Sequence, residues 1–206
     1  NYLTECWQPI IKEIEKISGK NYKGNERLIR IVADHIKASV FLISDGVIPS
    51  NLDRGYVLRR LIRRAIRNLR QLEVPILEMD ATVEIAKIVI KIYPEYEDLE
   101  KNKKIILDEL KKEEDKFQKT LDKGLREFNK MVDKDHQITD KEAFLLFQSY
   151  GFPLELIEEL AKEKKVKVDV KGFNKEYEKH QKLSRKGAEQ KFKGGLSESS
   201  EITAKL

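Results

Sequence analysis

Arginines crowd one stretch of this chain. Arg54, Arg59, Arg60, Arg63, Arg64, Arg67 and Arg70 all fall between Asn51 and Arg70, and only Arg27, Arg30, Arg126 and Arg185 lie elsewhere. Lysine, by contrast, is spread along the whole chain. A solvated helix face uses lysine as readily, whereas arginine's flat, five-donor fork matches phosphate oxygens and base edges. From Asn51 to Arg70 seven positive charges meet one negative, Asp53, so this stretch carries +6 where the whole chain carries +5. The basicity is local. Just ahead of it, Ser50 and Asn51 supply hydroxyl and amide groups able to contact base edges, beside a helix N-terminus that attracts phosphate. Two readings stand at this point: an amphipathic surface helix paired with neighbouring acids, or a polyanion site. Asn51 or Asp53 also has a plainer use as a helix cap. An interfacial membrane helix is disfavoured, because the apolar side lacks tryptophan and phenylalanine.

Catalytic chemistry is harder to find. His35, His136 and His180 are far apart, with no H-x-x-x-H or H-E-x-x-H spacing for zinc, and are expected in structural or solvent roles. Cys6 lacks a basic neighbour to activate a thiolate and is expected as a small buried apolar residue. Lys193-Gly194-Gly195 follows a helix instead of joining a strand to one, so it is no phosphate loop. The acidic pairs Glu113-Glu114 and Glu158-Glu159 read as solvated charge on helical faces.

The elements that position these residues are helical. Charged residues are 37 % of the chain and hydrophobic ones 40 %, while glycine and proline are sparse. That composition favours long exposed helices over hairpin-rich β architecture. One cysteine excludes an internal disulfide and fits a reducing compartment. No apolar run approaches the roughly 20 residues that cross a bilayer. Periodicity predicts helices over Pro9 to Ile17, Glu26 to Ser44, Asp53 to Gln71 and Met79 to Ile92. The third has an apolar side of Val57, Leu58, Leu61, Ile62, Ala65, Ile66 and Leu69, with arginines on the remaining arc. A single helix is expected from Asp98 to Val132, with Ile105, Ile106, Leu110, Phe117, Leu121, Leu125, Phe128 and Val132 as its stripe. It would extend about 50 Å, long enough to join two lobes or form a coiled-coil arm. A break at Asp133-Lys134-Asp135 precedes a capping box at Thr139 and a helix from Asp140 to Ser149. Tyr150-Gly151-Phe152-Pro153 turns the chain into a helix from Leu154 to Lys165. Val166 to Val170 alternates as a short strand or extended segment, and a charged helix runs from Gly172 to about Lys186.

The stretch RIVADHIKASVFLISDGVIPSNLDRGYVLRRLIRRAIR closely resembles the helical tRNA-recognition region of alanyl-tRNA synthetases. So do, in order, EEDKFQKTLDKGL, EAFLLFQSYGFPLEL, KVDVKGFNKEYEKHQKLSR and KFKGGL. The resemblance covers essentially the whole chain, and DGV-x-PSN-x-x-RGYVLRR-x-IRRA with YGFP are its most specific parts. It implies an all-α, multi-helix tRNA-recognition domain with a long central helix and a smaller C-terminal helical subdomain. The expected divisions are a lead-in over 1–26, a core over 27–133, the subdomain over 134–186 and a linker over 187–206.

The resemblance further implies a middle portion of a cytoplasmic, ATP-dependent alanine–tRNA ligase. Its catalytic domain, using ATP and magnesium, would precede this chain, and its zinc-containing editing domain would follow. The portion by itself is expected to be inactive, without cofactor, and a start at Asn1 instead of methionine fits that expectation. Its partners would be the tRNA(Ala) acceptor stem and those two domains, with no membrane. The family selects its tRNA by a G·U wobble pair near the acceptor end, and the asparagine of its PSN motif, here Asn51, contacts that pair. The family's second contact is an aspartate two residues before the tyrosine of YGFP, where this sequence has Gln148. A carboxylate only accepts hydrogen bonds, whereas glutamine donates and accepts, without charge assistance. Arg54, Arg59, Arg60, Arg63, Arg64 and Arg67 would hold acceptor-stem phosphates, those nearest the apolar boundary forming internal salt bridges. A different class of function remains: a helical interaction module whose 98–132 helix binds a protein partner.

Overall fold

A computed structural model describes residues 2, 4–134 and 137–182. Secondary structure among these residues is helical except for one pair of two-residue strands. The all-α expectation holds. The chain divides into two compact units, Asn1–Leu125 and Arg126–Leu206.

In the first unit, α1 (Gln8–Ser18) stops at Gly19, whose φ of 66° is left-handed, the conformation glycine adopts without a Cβ penalty. The helix α2 (Glu26–Ser44) packs along α3 (Asp53–Gln71), and α4 (Ala81–Ile92) closes the group against α1 and α2. Their apolar stripes meet in one core containing Ile14, Ile36, Val40, Leu58, Ile62, Ile66 and Val89, none of which is exposed. Removal of this surface from water is the main stabilising contribution, about 1.5–3 kcal/mol for each large aliphatic side chain.

The single helix expected from Asp98 is broken. Glu97–Lys101 forms the short α5, the chain turns at Asn102, and α6 runs from Lys103 to Lys134. Asn102 stands at the break: its side-chain amide donates to the Ser44 carbonyl at the end of α2, at 3.1 Å, while its own N–H and carbonyl keep bonds of helical spacing to Asp98 and Ile106. The expected stripe also shifts, since Ile105 is exposed while Ile106, Leu110, Phe117, Leu121 and Phe128 are buried.

In the second unit, Thr139 forms the expected capping box: its hydroxyl accepts from the Glu142 backbone N–H, and Glu142 returns a bond to the Thr139 N–H. The helix α7 (Asp140–Tyr150) ends at Gly151, φ 70°, and Phe152 anchors the turn in the core. Then come α8 (Leu154–Glu163) and α9 (residues 170–182), which begins where Asp169 Oδ1 accepts from the Gly172 N–H at 2.9 Å. Gln137–Ile138 (β1) pairs in parallel with Lys167–Val168 (β2). The second strand matches the alternation of Val166 to Val170; the first lies between the expected break and the capping box, where no element is expected, and is held by the buried Ile138. His136, Asp135, the Lys193-Gly194-Gly195 linker and the last residues of the final predicted helix lie outside the described residues.

Candidate nucleic-acid interface

The loop from Ile48 to Leu52 delivers Asn51 to the start of α3, and Ser50 folds it. The Ser50 hydroxyl donates to the Leu52 carbonyl at 2.9 Å and accepts from the Leu52 N–H at 3.3 Å. The Ser50 N–H donates to the Gly55 carbonyl at 3.0 Å. That approach requires glycine, because a Cβ at Gly55 would lie 2.2 Å from Ser50 Oγ and 2.5 Å from the Ile48 carbonyl oxygen. Asp53 enters the helix at φ 49°, a left-handed conformation that aspartate tolerates better than most residues. The helix has Leu52 at its N-cap and no side-chain cap. Asn51 lies just before that N-cap and is exposed.

Asn51 Oδ1 accepts a hydrogen bond from Arg59 Nη1. Arg59 Nη2 donates to the Pro49 carbonyl at 3.3 Å, and its Nε lies 3.3 Å from Glu113 Oε1 in an ion pair. The same Glu113 oxygen accepts from Arg63 Nε at 2.6 Å and lies 2.5 Å from Arg63 Nη2. The Arg63 guanidinium also sits 5.1 Å from the centre of the Phe117 ring. Burial pulls the Arg63 pKa below its ordinary value and the Glu113 carboxylate opposes that shift. One buried carboxylate thus serves two guanidinium groups and leaves this corner of the unit positive.

The remaining arginines divide by burial. Arg54 is exposed, and Arg60 and Arg64 are partly exposed. Arg64 Nη1 lies 3.2 Å from His35 Nε2; a guanidinium only donates, so the imidazole accepts there and carries its proton on Nδ1, 3.3 Å from Asp34 Oδ2. His35 is buried and links α2 to α3, the structural role expected of it. Arg70 Nε lies 3.6 Å from Asp122 Oδ1. Arg67 is only 3 % exposed, and Asn68 is buried beside it. The charged arc of α3 is therefore not a uniform solvent face. Gln148 is exposed on the last turns of α7, in the second unit, so the two polar side chains singled out by the resemblance belong to different units.

Two expectations are overturned. Cys6 is exposed, in the turn that precedes α1. Glu113 and Glu114 are not solvated but buried. The signal was present: both lie three or four residues from Leu110 and from Phe117, on the apolar face of α6. Glu114 Oε2 accepts from the Thr82 N–H at 3.0 Å and from Thr82 Oγ1 at 2.5 Å, and so serves the N-terminus of α4. Burial pushes its pKa up to about 7 against the opposing pull of the Thr82 bonds. Among the described residues no three His, Cys, Asp or Glu side chains group as a metal site, and no helix is long and apolar enough to cross a membrane.

Residues 1–205 match the family model described as tRNA synthetases class II (A). The chain belongs to this family. It is 45 % identical over its whole length to an alanine–tRNA ligase of Borrelia hermsii, covering 35 % of that protein. It is 46 % identical to one of Thermotoga maritima over 90 % of the chain and 22 % of that protein. With the alanine–tRNA ligase of Treponema pallidum the identity is 42 % over 98 % of the chain and 35 % of that protein. The resemblance read from the motifs is upheld. The chain spans about a third or less of the length of these curated relatives.

Proposed function

We propose that this segment docks the acceptor stem of tRNA(Ala) for an ATP-dependent alanine–tRNA ligase of the cytoplasm, and reads the stem's identity pair. The observation that carries the reading is Asn51, exposed at the head of a helix whose basic side begins with exposed Arg54. Membership in the synthetase family makes RNA the expected polyanion. Arg54, Arg60 and Arg64, with Arg59, are the proposed phosphate contacts. Arg67, buried, and Arg63, half-buried and paired with Glu113, support that side of the helix from within the unit. Asn51, from the first unit, and Gln148, from the second, are the proposed contacts to bases, both near a helix end of A-form RNA where the grooves are accessible. ATP, magnesium and editing-site zinc are proposed for other portions of the polypeptide.

The test is titration of the chain with two acceptor-stem hairpins at one near-physiological salt concentration, one carrying the G·U wobble and one a G·C pair. Tighter binding of the wobble hairpin is expected. Asn51→Ala should narrow the difference while reducing overall affinity modestly, because phosphate contacts supply most of the affinity and base contacts the discrimination. Equal losses on both hairpins in the Asn51 variant would remove its base-reading role. Binding of neither would refute the docking surface.

A further inference from the structure

The head of α3 has a support that the reading above does not use. We propose that Glu113 is a positioning residue for Asn51, acting through Arg59, so that the asparagine meets the RNA with its NH2 group leading, as a hydrogen-bond donor. The proposal rests on the reading of Asn51 as a base contact and adds which edge of its amide does the reading and what fixes that edge.

A guanidinium has five donors and no acceptor, so only the oxygen of the Asn51 amide can face it. Arg59 Nη1 donates to that oxygen, and the amide nitrogen lies on the opposite edge of the side-chain plane. Arg59 is itself held at three points: Nη1 on Asn51, Nη2 on the Pro49 carbonyl at 3.3 Å, and Nε against Glu113 Oε1 at 3.3 Å. Of these partners, only Glu113 is charged, and it is 2 % exposed. Its own position is fixed from the other side by Arg63, whose Nε and Nη2 approach the same oxygen at 2.6 and 2.5 Å. Arg59 Nε is buried and reaches the carboxylate by charge and not by an aligned hydrogen bond. The attraction therefore depends on the full negative charge of Glu113. A donor-leading asparagine favours base acceptors, a carbonyl oxygen or ring nitrogen, at the groove edge.

Two variants separate this relay from a general loss of structure. Glu113→Gln keeps the side-chain size and removes the charge. Arg59→Lys keeps the charge and removes the fork, while leaving the Glu113–Arg63 pair intact if the first variant does not fold. The readout is 15N relaxation of the Asn51 side-chain amide in the RNA-free chain, with the backbone amides of 48–55 as reference. Both variants should mobilise the Asn51 side chain while the backbone order of the loop is retained. In the hairpin titration both should reduce the wobble preference toward that of Asn51→Ala, by roughly fivefold or more if the preference resides in one well-placed base contact. Adding Glu113→Gln to Asn51→Ala should produce no further loss of preference.

An Asn51 amide as ordered in both variants as in the parent chain overturns the relay. Equal loosening of side chain and loop backbone overturns it too, because Glu113 then serves loop folding alone. A parent chain without wobble preference, or one whose preference survives Asn51→Ala, refutes base reading by Asn51, and the relaxation measurement still decides the relay separately.

Discussion

Glu114 shows how one side chain can stabilise an element and still burden the fold. Its carboxyl receives both Thr82 bonds at the α4 N-terminus, where an anion is favoured by the unpaired N–H groups. Complete burial works the other way and dominates, holding its pKa at about 7 against an ordinary 4.5. Between those values the folded chain keeps a proton on Glu114 that the unfolded chain has released. Stability therefore falls as pH rises from about 5 to 8, by up to about 3 kcal/mol for this group. Glu114→Gln presents a carbonyl to Thr82 without a charge to desolvate. Urea unfolding at pH 5 and pH 8 should show the parent chain losing stability across that interval and the variant losing markedly less. The same decline in both would place the pH dependence elsewhere.

At the level of elements, the loop before α3 depends on Gly55 more than on any cap. Alanine normally improves a helix interior by up to about 1 kcal/mol over glycine. Here its Cβ would meet Ser50 Oγ at 2.2 Å and a backbone carbonyl at 2.5 Å, and the carbonyl cannot move without opening the loop. Gly55→Ala should thus destabilise the chain by about 1–3 kcal/mol, the range for an overpacked site, and weaken hairpin discrimination as Asn51 is displaced. A thermal melt combined with the two-hairpin titration checks both; a more stable variant with discrimination intact would refute the account. Helix periods in the sequence were sufficient for α1 to α3 because their apolar stripes are regular and their ends carry glycine or aspartate signals. The break at Asn102 was hidden, since the apolar stripe runs on through it and its bond to Ser44 is a tertiary contact that local spacing does not encode. Asn51 and the arginines were legible as types, but their partners were not. The acids that organise them stand about 50 positions away on α6, and the spacing that turns Glu113 inward between Leu110 and Phe117 does not say which cations it meets.

Across the whole molecule the relevant quantity is not the number of arginines but how many can release counterions on meeting RNA. Seven contacts from α3 would give a salt slope near −6, at about −0.9 for each phosphate. Arg67 is buried, Arg63 and Arg59 share the buried Glu113, and Arg70 stands by Asp122. The same net charge of +5 should therefore produce a shallower slope, about −2 to −4, in log affinity against log salt. Two substitutions separate burial from charge count. Arg54→Gln, at an exposed position, should weaken both hairpins and reduce the slope by about one. Arg63→Gln removes the same formal charge from a buried pair, so it should lower the melting temperature, by an amount reflecting about 3–5 kcal/mol when a buried partner is lost. Measured well below that melting temperature, its slope should match the parent's. An equal reduction in slope for the two variants would mean that Arg63 reaches phosphate, and that the pair with Glu113 opens when RNA binds.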